Sequence, residues 1–405
     1  MATAGLTRSA NRSAVLSVLL SGRLLDRNQI IDRSELSRAT VFRIVDDLKA
    51  TGLVAEQELG TSAGPGRPPV GIQLQATSGR VCGIDLGGSS CRLVLADLLG
   101  RTIARSQHRT PRHLDGPGLA RWITERVADL DPGGRRVADL GAIAIGLPGA
   151  LSGDSDRVVA SQNLLSIRGT AFIDAMRETT AAELNLENDS NLALLGELRY
   201  GALRADDTVT LLAIGTGLGV AAAIDGRILR ARDGRLGEFG RLNLPGAKTR
   251  IRDLVSGGGL MAYAQQNGID ISDAREVLEA PDRFPGLCRQ LTEALVHLVA
   301  IVALAYEPRA VLLTGGFSHG LDDALLRRVG SEVTEIVGVP VELHRTSLGD
   351  HAGLYGALAT ALGRLYTVLG VQQEHLGSIE VDRDLVTELF AAQDPERGLV
   401  GGERS

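Results

Sequence analysis

The apolar positions Ala14, Val15, Val18 and Leu19 fall on one helical stripe within 11–20, and a second short helix fits 27–33. Beyond Ser37, the residues Val41, Ile44, Val45 and Leu48 keep i, i+3, i+4, i+7 spacing until Thr51-Gly52, which predicts a third helix ended by glycine. The period then switches. Leu53-Val54-Ala55 and the alternating Val70-Gly71-Ile72-Gln73-Leu74 read as short strands flanking a Gly/Pro-rich loop. Three helices and a two-stranded hairpin describe a winged helix-turn-helix; periodicity alone fits a helical adaptor equally well. The polar face separates the two. Ser37, Arg38, Thr40, Phe42 and Arg43 open the third helix, and Arg38, Phe42 and Arg43 lie off its apolar stripe, where a recognition helix reaches base edges. Arg67 stands between Gly66 and Pro68 in the loop, suited to a minor groove or to phosphates, although that stretch reads equally as a linker.

From Val81 the texture changes. Buried-strand runs occur at 81–85, 92–97, 140–145, 209–214 and 311–313, and helical stripes at 119–130 and 291–306. Strand, glycine turn and helix recurring over most of the chain mean α/β layers. The tail beyond 380 is polar and reads as loosely packed.

Length and composition narrow the class. The chain has 405 residues, too many for one core, with 44% apolar and 23% charged residues. The longest apolar run, 294–306, is short for a bilayer and holds His297, and no basic-then-apolar leader opens the chain. The three cysteines form no CxxC pair, so neither a disulfide framework nor a cysteine zinc cage is expected. No membrane association is expected, and the cytoplasm is the expected compartment. Net charge is −6 but uneven: residues 1–80 hold ten Arg and Lys against seven Asp and Glu, the remainder 33 against 42. A basic head on an acidic body points to a polyanion at the head alone.

Three glycine turns follow strands: Asp85-Leu86-Gly87-Gly88-Ser89, Gly215-Thr216-Gly217-Leu218-Gly219 and Gly315-Gly316. Glycine lets backbone N–H groups converge on phosphate oxygens, and three such turns favour a nucleotide cleft between two lobes. No GxxxxGK[ST] or GxGxxG occurs, which excludes a P-loop and a dinucleotide fingerprint. Glu187-Asn188-Asp189-Ser190-Asn191 is the densest polar cluster at the end of an apolar segment. It reads either as a proton-accepting site for a substrate hydroxyl or as a helix N-cap, with Asp189 as the capping residue.

These segments, with Gly146-Leu147-Pro148-Gly149, Gly237-Glu238-Phe239-Gly240 and the closing Asp350-His351-Ala352-Gly353-Leu354-Tyr355-Gly356-Ala357, follow the order and rough spacing of the ROK family of repressors and sugar kinases, which the chain resembles over about 80–365. The resemblance implies a two-lobed, actin-like ATPase fold of the sugar-kinase type behind a winged helix-turn-helix. It implies domains at 1–78 (DNA-binding), 79–188 (first lobe, completed by a helix at 350–367) and 189–349 (second lobe), with a tail at 380–405. It implies a sugar site at Asn188, Asp189 and Glu238, with Asp189 as catalytic base if the protein is a kinase. It also implies a nucleotide site at Asp85, Gly87, Gly88, Ser89, Gly215, Thr216, Gly217, Gly315 and Gly316.

Two departures bear on function. Where the family carries a histidine after Gly240, this chain has Arg241, and no cysteine follows in 245–259. Zinc, which needs about four N or S ligands, is therefore not expected. Arg241 either meets an acidic or phosphorylated sugar or pairs with Glu238. The expected function is a sugar-responsive transcriptional repressor of carbohydrate-metabolism genes. It would act as a homodimer or homotetramer on palindromic or repeated DNA half-sites, with a small carbohydrate or sugar phosphate as effector. The competing reading is an ATP- and magnesium-dependent sugar kinase with an accessory DNA-binding head; no cofactor is required on the first reading.

Overall fold

The computed structural model describes residues 2–58, 70–131, 133, 137–153, 156–202, 207–376 and 379. Arg67 and the 380–405 tail lie outside them.

The head comprises α1 (Ala2–Leu19), α2 (Arg27–Ser34), α3 (Arg38–Ala50) and the antiparallel pair β1 (Val54–Glu58) and β2 (Val70–Leu74). Asp26 caps α2 in a reciprocal box with Gln29, and Ser37 caps α3 through the Thr40 amide. Val41, Ile44, Val45 and Leu48 are all buried, as their spacing predicts. Helix α1 begins earlier than the apolar stripe indicates, because residues 5–9 are exposed and offer no buried face to read.

The first part of the body contains β3 (Arg80–Leu86), β4 (Ser90–Asp97), β5 (Thr102–Arg109), α4 (Gly116–Asp129), β6 (Ala142–Leu147), the separate small hairpin β7 (Ala150–Leu151) and β8 (Val158–Ala160), α5 (Ala171–Thr179) and β9 (Glu183–Asn188). Helix α6 (Asp189–Tyr200) leads to the second sheet, built from β10 (Val209–Ile214), β11 (Leu218–Ile224), β12 (Arg227–Ile228), α7 (Ile251–Val255), α8 (Gly257–Gln266), α9 (Glu276–Glu279), α10 (Pro285–Tyr306), β13 (Ala310–Thr314), α11 (Asp323–Val337) and β14 (Leu343–Arg345). The chain returns through α12 (Ala352–Val368) and α13 (Gln373–Leu376).

Both sheets have one plan. The hydrogen-bonded orders are β5-β4-β3-β6-β9 and β12-β11-β10-β13-β14. In each, the first strand is central, an antiparallel meander runs to one side and two parallel strands lie on the other. The glycine turns at 85–89 and 215–219 therefore join antiparallel strands; neither leads into a helix, contrary to the strand–turn–helix expectation. Helices α6 and α12 pack against each other; α6 touches strands of both sheets and α12 those of the first. Their approach is backbone on backbone: a Cβ on Gly356 would sit 1.8 Å from the Leu192 carbonyl oxygen, and one on Gly196 2.2 Å from that of Ala352. The apolar helix α10 is long enough to cross a bilayer, yet 61% of its apolar window is buried within the second core.

Head and body share a core. Val15, Leu16 and Leu19 of α1, with Ile30, Leu48 and Ile72, cluster with Leu98 and with Leu358, Leu362, Leu365 and Tyr366 of α12. Polar contacts reinforce the seam. Across it, the Gln372 amide donates to Ser13 Oγ (2.8 Å) and the Ser13 hydroxyl lies 2.9 Å from His375 Nδ1; on the body side, the Tyr366 hydroxyl donates to the Leu98 carbonyl (3.0 Å).

Candidate ligand cleft and DNA-reading head

Two cavities lie between the lobes. The larger, about 620 Å³, is lined by Asp85, Ser89, Asp189, Gly215, Thr216, Gly315 and Gly316 among others. Six of the nine expected nucleotide residues thus face one space. Gly87, Gly88 and Gly217 do not. Gly87 closes the β3–β4 turn through its amide to the Ser90 carbonyl. Gly88 and Gly217 face Asn163 from opposite lobes, their absent Cβ atoms 2.9 Å and 3.0 Å from its atoms. Asn163, which the sequence did not single out, is wedged between the two glycine turns.

Asp85 ends the buried run of β3. Its cross-strand partner Arg92 donates from Nη1 to Oδ2 at 3.3 Å and from Nε to Gln107 of β5. Burial raises the Asp85 pKa, with Arg92 pulling down and Asp350 pushing up. Gly353 lets α12 start here, since a Cβ would lie 3.2 Å from the Asp85 carboxylate. Asp189, the first residue of α6, has its pKa raised to about 7, by burial first and by the Asp85 charge second, against the Ser190 amide and hydroxyl that bond it. A carboxyl titrating near neutrality, at the edge of a cleft, is suited to exchanging a proton with a hydroxyl.

The smaller cavity, about 90 Å³, is lined by Glu187, Asn188, Asn191, Arg230 and Glu238. Asn188, and not Asp189, is the N-cap of α6: its Oδ1 accepts from the Ser190 and Asn191 amides, and its Nδ2 donates to the Gly149 carbonyl (2.9 Å). That occupies the oxygen and leaves one N–H for a ligand. Gly149 is needed at this point, with φ of 151° and the Ala160 carbonyl where a Cβ would go. Glu187 accepts from Asn188 and Asn191 on one oxygen and from Arg230 on the other. Glu238 follows Gly237, whose φ of 79° turns the chain into the cavity. Arg241 lines neither cavity. Its Nε donates to Glu238 Oε2 at 2.8 Å with the side chain half exposed, which is the ion pair expected as one of its two roles.

The segment after Arg241 does not fit zinc. It offers no cysteine or histidine through Gly259, and main-chain bonds close it instead: Leu244 amide to Thr249 carbonyl, Ala247 to Leu244, and Ile251 to Leu242. Asp253 then accepts from the Arg250 amide to start α7.

In the head, Ser37, Arg38 and Arg43 are exposed and Thr40 and Phe42 half-buried at the start of α3. Ser37 Oγ is 2.9 Å from the Thr40 hydroxyl. The Phe42 ring lies beneath two guanidiniums, Arg27 at 4.4 Å and Arg38 at 5.0 Å. Arg27 also pairs with Asp46 and Glu56, tying α2, α3 and the wing strand together. Arg43 is exposed and has no such tether among the described residues. Arg92 could have been found from sequence: a tight turn at 87–89 places position 92 opposite Asp85. Asn163 and Asp350 arrive from distant segments with no local signal of the role.

The relatives agree with this architecture. The xylose repressor of Caldicellulosiruptor bescii is 26% identical over 88% of this chain and 96% of its own length. The DNA-binding transcriptional dual regulator NagC of Escherichia coli K12 is 23% identical over 92% and 96%. Among solved structures, a ROK family transcriptional regulator, a homologue of the E. coli MLC protein, covers 92% of this chain and 99% of its own with a TM-score of 0.70 at 20% identity, a likeness of fold. The ROK hexokinase of Thermus thermophilus covers 70% and 97% with a TM-score of 0.59 at 26% identity. The family model itself spans residues 81–364, from the first strand of the body to the last turns of α12, and the chain belongs to the ROK family.

Proposed function

We propose that the protein is a cytoplasmic, sugar-responsive DNA-binding regulator that represses carbohydrate-metabolism genes. The observation that carries this reading is the continuity from cleft to head along α12. Gly353 in its first turn faces Asp85, while Leu362, Leu365 and Tyr366 near its end belong to the core that holds α1. A 17-residue helix is about 25 Å long, so movement at the cleft reaches the head through one rigid element. Closure of the lobes on a sugar would re-aim the heads of a homo-oligomer and change operator affinity. The xylose repressor and the ROK family transcriptional regulator each cover about nine-tenths of this chain, whereas the hexokinase covers 70% of it.

In this reading Asn188, Asp189 and Glu238 hold sugar hydroxyls, and the glycine turns form the floor of the larger cleft. Arg38, Thr40, Phe42, Arg43 and Arg67 read DNA, and Ser37 positions α3 and reaches a phosphate. Zinc is not required, since main-chain bonds do its structural work in the 242–251 loop. The kinase reading keeps one specific support, the near-neutral Asp189 beside the glycine turns; ATP and magnesium would occupy that cleft. The test uses duplexes from the region upstream of the protein's own coding sequence, with xylose, glucose, N-acetylglucosamine and their phosphates, with and without magnesium–ATP. Protection of the duplex that one sugar relieves, with no phosphorylated product, is expected. Turnover on the order of 1–100 per second would replace the regulator by a kinase.

A further inference from the structure

The chain crosses between the lobes twice, once through α6 and the residues after it and once through 346–351 into α12. One side chain joins the two crossings. Glu197, near the end of α6 and 1% exposed, accepts from the Ser347 hydroxyl on Oε2 (2.7 Å) and from the Leu348 amide on Oε1 (2.8 Å). Ser347 Oγ in turn accepts from the Ala202 amide (3.1 Å), so the outgoing and returning strands are stitched through one carboxylate and one hydroxyl. Gly201 makes room: a Cβ there would lie 2.3 Å from Glu197 Oε2 and 2.8 Å from Ser347 Oγ.

The position matters more than the burial. Two turns upstream on the same helix is Asp189, and two residues beyond Leu348 is Asp350, both lining the larger cleft. Any rotation of one lobe against the other must pass through these two crossings, because no other segment of the described chain connects the sheets. We propose that Glu197 is a positioning residue that clamps the crossings together and so sets how far the ligand cleft opens. It touches no ligand and acts through α6 and the 347–350 segment. The inference rests on this cleft being the ligand site, while its test needs neither sugar nor DNA, so it can fail without the regulator reading failing.

The test compares wild type with Glu197→Gln, Glu197→Ala and Gly201→Ala. Glutamine keeps an acceptor for the Leu348 amide and donates to Ser347, so it should rescue what alanine loses. Gly201→Ala attacks the same clamp from the backbone side. Hydrogen exchange should show the amides of Ala202 and Leu348 accelerating by about tenfold or more in Glu197→Ala and Gly201→Ala. Exchange in β3, β10 and α3 should stay unchanged, and Glu197→Gln should remain within about threefold of wild type. Small-angle scattering of the two alanine variants should broaden toward more open shapes. Acceleration spread evenly over both sheets, or wild-type protection at both amides in Glu197→Ala, would overturn the proposal.

Discussion

Asp189→Asn should make the protein more stable above neutrality. The carboxyl is held in the folded cleft with a pKa raised from the ordinary 3.8 to about 7, chiefly because burial penalises the charge, with Asp85 adding repulsion. Asp350 and Arg92 act on Asp85 in opposite directions and complete the charged surroundings. The sign follows from proton counting. Between pH 4 and 7 the folded protein holds a proton that the unfolded chain has released, so stability present in acid is lost as pH rises through the folded pKa. A rise from 3.8 to about 7 corresponds to about 4 kcal/mol. The partial solvent access that Asp189 keeps at the cleft brings the expected gain to roughly 2 kcal/mol. Asparagine keeps the shape and the acceptor for the Ser190 amide but does not titrate. Thermal melts from about pH 3.5 to 8 should show variant and wild type together at the acid end, parting progressively above the unfolded pKa of 3.8 and fully separated above about 7. The variant should then melt higher by roughly 4 °C, using about 2 °C per kcal/mol. Curves that stay parallel, or a gap that widens toward acid, would refute the assignment of this proton to Asp189.

Arg43→Ala should weaken DNA binding more than Arg38→Ala in sequence discrimination, by about 1–3 kcal/mol at one base position if Arg43 reads a base edge. Arg38, stacked on Phe42, should chiefly reduce the salt slope by about one; anisotropy titrations across salt and across single-base variants of the duplex separate the two, and equal losses on every duplex for both variants would remove base reading from α3. Prolonged dialysis against a zinc chelator should leave the melting temperature unchanged, and elemental analysis showing about one tightly held zinc per chain would contradict the reading of the 242–251 loop.

What could be read from the sequence depended on whether the signal was local. The stripe Val41, Ile44, Val45 and Leu48 faces the core because a helix repeats every 3.6 residues, and the runs at 81–85 and 209–214 are central strands because both their faces are covered. Strand β5 escaped notice because it is an edge: Thr-Ile-Ala-Arg-Ser-Gln-His-Arg alternates too weakly to announce a buried face. Strand β11, rich in alanine and opening in a glycine turn, lacks the β-branched run that marks a strand. Asp85, Asp189 and the glycine turns were visible because motif residues sit at strand ends. The N-cap is Asn188 and not the expected Asp189, since asparagine caps as well as aspartate and β9 runs one residue further than the capping pattern alone shows. Asn163, Glu197 and Asp350 owe their positions to chain crossings that no local pattern encodes.

The seam between head and body has a consequence for how such proteins can be recombined. Leu98, Leu362 and Leu365 share one buried cluster with Val15, Leu16 and Leu19 of α1, and Ser13 is bonded from beyond α12, so the head is no detachable bead on a tether. Grafting a foreign head at residue 79 would leave a leucine surface facing a mismatched partner. A working chimera must transplant the matching turns of α12 and the Leu98 turn along with the head. The specificities proposed for the head and for the cleft are thus modular on paper but inherited together, joined by a shared core that both halves must satisfy.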